Sequence, residues 1–122
     1  MVKVIIDNQL KKLIESEAVA VATVMPNGNP NIIGVACVKV VGEKQILITD
    51  NYMNQTVKDI QNNPRVVLAV WNKKWEGYKL IGKAEYFNQG RWLEEVKKIP
   101  ENKGMPAKGA ILVTVNRIIK AA

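Results

Sequence analysis

Between a strand-like run and a helix-like one the chain reads Thr49-Asp50-Asn51-Tyr52-Met53-Asn54-Gln55-Thr56, a segment dense in hydroxyl, carboxylate and amide groups. The run before it, Gln45-Ile46-Leu47-Ile48, has strand character. After it, Val57 and Ile60 stand three apart and mark one face of a short helix. A helix start is a natural anion site: its first N–H groups have no carbonyl to pair with, and the aligned peptide dipoles favour negative charge there. Asn54 or Thr56 could cap the helix and, with Gln55, offer donors to a phosphate. Taken alone, the octapeptide reads as a capped loop with no ligand; the rest of the chain reverses that order.

The elements that must position these residues follow from hydrophobic pattern. A first helix is expected at 8–16, capped by Asp7, with Leu10, Leu13 and Ile14 on one face. Residues 18–24 form a β-branched strand. Pro26-Asn27-Gly28-Asn29-Pro30 is a turn, and residues 31–41 form a long second strand, so 18–41 is a hairpin. Gly42-Glu43-Lys44 turns into strand 45–49, the helix near 55–62 ends before Pro64, and strand 65–71 follows. Strand 78–87 carries Gly82, which suggests a bend or bulge. A helix is expected at about 89–98, a loop from Glu101 to Lys108, and a last strand at 110–115. Trp71 and Trp92 are expected in the core, whereas Trp75 stands in a polar loop.

Six short strands joined mostly by hairpins, with short helices, predict a mostly β chain: one domain over 1–122, an antiparallel sheet curled into a barrel. Strands 18–24, 66–70 and 110–115 are apolar on both faces and need a cover outside the barrel. In so small a chain a second copy is the expected cover, which predicts a homodimer.

Composition narrows the chemistry. The sequence of 122 residues has no histidine and a single cysteine, Cys37. A Cys/His zinc site, an internal disulfide and His-based acid/base or nucleophilic catalysis are therefore excluded. Cys37 itself reads as a small buried hydrophobe. The first residues, Met-Val-Lys-Val-Ile-Ile-Asp, lack a signal-peptide pattern, no apolar run reaches membrane-spanning length, and a cytoplasmic protein is expected. The net charge is +7: residues 1–78 carry nine basic and seven acidic side chains, residues 79–122 nine and four. A surface for nucleic acid is one reading of this excess. A solvated lysine-rich surface is the favoured one, because no aromatic platform interleaves with the basic run.

Four segments in order resemble the FMN-binding split barrels related to pyridoxamine 5'-phosphate oxidase, and most closely the small single-domain FMN-binding proteins among them. Val21-Ala22-Thr23 with Asn27-Gly28-Asn29-Pro30 is similar to the family's "A-T-x-x-x-x-G-x-P" hairpin. Thr49 to Thr56 resembles its flavin- and phosphate-touching segment, Asn63-Pro64-Arg65-Val66 its "N-P-x-V" entry, and Gly82-Lys83-Ala84-Glu85 its barrel-closing "G-x-A-x" strand. The resemblance implies a six-stranded split barrel that binds FMN at a homodimer interface, with F420 or another flavin-like ligand as the alternative cofactor. It further implies a flavin pocket at Gly34, Val35, Ala36 and Cys37, ring contacts from Thr49, Asp50 and Asn51, and a phosphate site at Asn54, Gln55 and Thr56. Many members carry a cation where Gln55 stands, so Lys79 and Lys108 are candidates to supply one, and Trp75, Met105 and Pro106 are candidates to cover the flavin. The implied function is redox, either as an oxidoreductase or as an electron-transfer or FMN-carrier protein without its own substrate. No catalytic acid or base can be named. Vitamin B6 oxidation is not expected, since the extra C-terminal segment of the true oxidases has no counterpart. A basic nucleic-acid-binding barrel is the alternative from another class.

Overall fold

In the computed structural model, which describes residues 4–121, one seven-stranded antiparallel sheet has the order β2-β1-β5-β6-β7-β4-β3. The opening Met1-Val2-Lys3 of the segment read for a signal peptide lies outside the described residues. The strands are β1 (Val19–Val24), β2 (Pro30–Val35), β3 (Val38–Val40), β4 (Gln45–Asp50), β5 (Arg65–Trp71), β6 (Gly77–Phe87) and β7 (Gly109–Lys120). The helices are α1 (Asn8–Ser16), α2 (Gln55–Asn62) and α3 (Arg91–Lys97), with a 3-10 turn at Pro100–Asn102.

The expected six strands are corrected to seven. Residues 31–41 are not one strand: β2 pairs with β1, β3 pairs with β4, and the two stand at opposite edges of the sheet. Only Ala36 and Cys37 join them. Two residues reach no further than about 10 Å, so the sheet must curl until its edges meet. This is the split barrel, closed by a covalent crossing between its edges. The sequence hides the crossing because the chain stays extended and apolar through it; only the pairing partner changes.

Two apolar clusters hold the fold. The inner one fills the barrel with Val19, Val21, Ile46, Ile48, Leu68, Val70, Leu80, Ile111 and Val113, and α1 adds Leu10 and Ile14. Asp7 caps α1 as expected, its Oδ1 accepting from Leu10 N at 2.8 Å. The outer cluster joins Leu47, Ala110 and Leu112 to Val96 and Ile99 around α3, with Trp92 packed against it. Ile46, Leu47 and Ile48 are all buried because the alternate side chains of β4 enter the two clusters. The outer face of residues 110–115 is thus covered within the chain, whereas Ala20, Ala22, Val67 and Ala69 on β1 and β5 are half-buried and belong to neither cluster.

At Gly82 the expected irregularity is present: Ile81 pairs with Arg117 and Gly82 with Val115, leaving Asn116 as the extra residue. A Cβ at Gly82 would overlap the Thr114 carbonyl, so glycine is required for the strands to approach. Trp71 corrects a core expectation. It ends β5 on the outward side, is 39% exposed, and stacks on Trp75 with ring centroids 6.0 Å apart.

Candidate functional site

The β4–α2 connection opens onto a groove of about 380 Å³ that also receives the β2–β3 crossing. One wall is Ile33, Gly34, Val35, Ala36 and Cys37; the other is Thr49, Asn51, Tyr52, Met53, Asn54, Gln55 and Thr56, with Asn31 and Met105 completing it. Two segments on separate elements, one marked out by its residue types and the other by the family resemblance, therefore face one space. A Cβ built on Gly34 would meet nothing within 4 Å, leaving room above the backbone for a flat ring. A larger cavity of about 590 Å³ lies between α1 and the β5–β6 hairpin, but none of the candidate cofactor-site residues lines it.

The polar groups are fixed from behind. Asn102 is 6% exposed and was not singled out in the sequence. Its Nδ2 donates to Thr49 Oγ1 at 2.8 Å and to the Val96 carbonyl at 2.5 Å, while its Oδ1 accepts from Asn51 Nδ2 at 3.0 Å. Asn51 Nδ2 also donates to the Pro106 carbonyl at 2.8 Å. Both amide hydrogens of Asn51 are thereby used, leaving its Oδ1 as an acceptor. Thr49 accepts from Asn102 and keeps its proton to donate. Pro106 serves here as an anchor for Asn51.

At the phosphate end, Asn54 occupies the cap position of α2 but makes no side-chain cap bond. Gln55 Nε2 donates to Asp59 Oδ1 at 2.7 Å, and Thr56 Oγ1 accepts from Asn31 Nδ2 at 3.2 Å. The expected capping by Asn54 or Thr56 is thus replaced by contacts to other strands and to the next helical turn. The first-turn N–H groups of α2 have no intrahelical acceptor.

Asp50 stands apart from this wall. It is 1% exposed and lines no part of the groove. Its Oδ2 accepts from the Tyr86 hydroxyl and its Oδ1 from Met53 N, at 2.7 and 2.8 Å, so the carboxylate pins the turn that follows β4. Burial, then the hydrogen bond to Asp50, then its charge push the Tyr86 hydroxyl up to about 12. A Cβ at Gly109 would overlap the Tyr86 hydroxyl, so this position also requires glycine. Lys108 Nζ donates to the Met53 carbonyl at 2.9 Å and lies 3.8 Å from Asp50. Lys79 lines a different groove with Trp71 and Trp75. Burial, and secondarily Glu101, raise the Cys37 thiol pKa, which suits a packing residue rather than a nucleophile.

Every side chain lining the groove is uncharged in its ordinary state at neutral pH. An apolar floor, a hydroxyl donor beside an amide acceptor, and neutral donors at a helix start suit a planar heterocycle with an imide edge and a phosphate tail. In this respect the residues fit a flavin mononucleotide.

Comparison with known proteins gives the same direction. The family model described as pyridoxamine 5'-phosphate oxidase matches residues 6–121. The uncharacterized protein MJ0282 of Methanocaldococcus jannaschii is 36% identical over 115 residues, covering 90% of this chain and 76% of that protein. A histidine-to-alanine variant of HupZ from Group A Streptococcus superposes with a TM-score of 0.85 at 28% identity, covering 94% of this chain and 98% of that one. An FMN-binding protein from Syntrophomonas wolfei shares the fold, with a TM-score of 0.81 at 17% identity over 92% of this chain and 83% of its own.

Proposed function

Because the chain belongs to the pyridoxamine 5'-phosphate oxidase family, we propose that it is a flavoprotein that holds FMN non-covalently in the β4–α2 groove, at the interface of a homodimer. The observation that carries this reading is the convergence of the Gly34–Cys37 crossing and the Thr49–Thr56 segment on one uncharged groove. Thr49 and Asn51 offer a donor and an acceptor to an imide edge. Gly34 and Ala36 admit the ring. Thr56, Gln55 and the first N–H groups of α2 hold the phosphate.

Bound flavin supplies two-electron and one-electron redox chemistry; the protein supplies binding, orientation and exclusion of water. The titratable side chains lining the groove are Cys37 and Tyr52, and the raised Cys37 thiol is a poor proton shuttle. The chain is read as an oxidoreductase or electron carrier whose turnover needs no protein acid or base. A cytoplasmic setting belongs to the same reading, supported by the lone buried cysteine. Among the described residues no helix is long and apolar enough to cross a membrane.

The dimer is supported by the outer sheet face. Ile32, Ala22, Val67 and Ile81 form one cross-strand row, and Gly34, Ala20, Ala69, Lys79 and Ile119 the next. Small apolar residues in neighbouring rows let a second sheet approach closely, and Gly34 belongs both to this face and to the groove. Lys79 thereby lies on the proposed interface.

The absorbance spectrum of the purified protein tests the reading, followed by mass identification of what heat releases. FMN is expected; F420 would keep the site and change the cofactor. A protein that takes up no flavin on titration, but binds oligonucleotide in a salt-sensitive way, would overturn it.

A further inference from the structure

Behind the start of α2, Asp59, Thr23 and Asn31 form a hydrogen-bond chain that ends in the groove. Asp59 is 0% exposed and Thr23 2%. Thr23 Oγ1 donates to Asp59 Oδ2 at 2.7 Å, and Asn31 Nδ2 lies 3.1 Å from Thr23 Oγ1 and 3.2 Å from Thr56 Oγ1.

The direction of each bond follows from chemistry. A carboxylate has no proton to give, so Thr23 spends its own on Asp59. The Thr23 oxygen can then only accept, which requires the NH2 side of the Asn31 amide to face it. The same NH2 donates its second hydrogen to Thr56. Thr56, accepting there, keeps its proton for a group in the groove.

We propose that Asp59 and Thr23 set the polarity of the phosphate subsite: by holding the NH2 of Asn31 toward Thr56 they keep the Thr56 proton free to donate into the groove, favouring an ionised phosphate over the neutral hydroxyl of a dephosphorylated flavin. This rests on the flavin reading above. A donor gains more from a charged acceptor than from a neutral one, so the polarity acts on FMN and hardly on riboflavin. Thr23 and Asp59 line no part of the groove and act only through Asn31 and Gln55, as positioning residues.

The test titrates FMN and riboflavin into the protein and its variants. Thr23→Val removes the hydroxyl at nearly constant volume in a strand that favours β-branched residues, and Thr23→Ser restores it. Thr23→Val is expected to weaken FMN roughly tenfold while leaving riboflavin within about twofold, and Thr23→Ser to return FMN affinity to that of the unmodified protein. If the unmodified protein binds FMN and Thr23→Val binds it equally well, the polarity is overturned and the flavin site stands. Equal loss of both flavins overturns it too, since that marks a structural role only. If the unmodified protein binds neither flavin, the site reading itself falls and takes this inference with it.

Discussion

Asn102→Ala removes the clamp behind the groove, and its cost can be worked from the contacts. Three hydrogen bonds disappear, to Thr49 Oγ1, to the Val96 carbonyl and from Asn51 Nδ2. Of the former partners, Thr49 Oγ1, on a residue 2% exposed, is left without another hydrogen bond among the described residues. The Val96 carbonyl keeps the Ile99 N–H at 3.1 Å, and Asn51 keeps the Pro106 carbonyl. The net value of about 1 kcal/mol applies to each of the other two bonds, the stranded Thr49 hydroxyl adds about 1–3 kcal/mol, and the loss is about 3–5 kcal/mol. Against a total of about 5–15 kcal/mol for a domain, this is a large fraction. It corresponds to a melting temperature lower by roughly 10–20 °C for a chain of this size. Urea and thermal unfolding followed by circular dichroism read it directly, and an unchanged denaturant slope would place the effect in the native state. Asn102→Asp is expected to cost more than alanine, because an oxygen replaces the donor facing Thr49 and Val96 and a charge is buried without a partner. An alanine variant within about 0.5 kcal/mol of the unmodified protein, or an aspartate variant more stable than it, would refute the clamp.

Thr56→Val, with the fold intact, is expected to raise the FMN dissociation constant about tenfold to hundredfold, the value of one hydrogen bond to a charged group; an unchanged constant removes Thr56 from the site. Gln55→Lys is expected to raise the urea midpoint and to tighten FMN by less than tenfold, because an ammonium placed where Gln55 Nε2 stands, 2.7 Å from Asp59, pairs first with that buried carboxylate. Sedimentation equilibrium is expected to give twice the 13.6 kDa chain mass with or without flavin, and Ala69→Glu on the outer sheet face to give the single mass; a stable micromolar monomer of the unmodified protein contradicts the shared interface. The folded Tyr86 hydroxyl, at about 12 against an ordinary 10, contributes stability that is complete below pH 10 and is lost as pH rises through 12. Tyr86→Phe should flatten that part of the urea-midpoint profile, and an unchanged slope would remove Tyr86 as its source.

Local signals made most elements legible. Asp7 before an apolar stripe located α1 at 8–16, and alternation with turn residues located the β1–β2 hairpin and β5. Events without a local signature were not legible. The division of residues 31–41 changes pairing partner without changing backbone extension, so no residue type announces it. Asn102 is a single polar residue between Glu101 and Lys103, and its burial comes from Thr49 and Val96, which sequence spacing does not connect to it. Lys79, a candidate cation for the phosphate, does not line the groove within one chain. Alternation along β6 sends Leu80 into the core and Lys79 to the opposite face, opposite Ala69 and Ile119. Asp50, in the middle of the most polar segment, is turned away from the groove by Tyr86, a partner 36 residues on.

The neutral amide at position 55 also acquires a meaning that the sequence withheld. Seen alone, Gln55 is a lost cation and a weakened phosphate site. In the structure its Nε2 is held by Asp59, one helical turn later and fully buried. A lysine there would not bring a free positive charge to the phosphate, because much of its field would be cancelled by that carboxylate. What distinguishes Gln55 from a cation is therefore smaller at the groove than the residue types suggest. An anion can still be held by the partial positive charge of the α2 start and by donors whose hydrogens have no other acceptor. Thr56 is such a donor, because it accepts from Asn31 and its own proton remains free. Binding strength in this groove is then decided by the orientation of uncharged groups, and orientation is what Asp59, Asn31 and Asn102 supply from behind the wall.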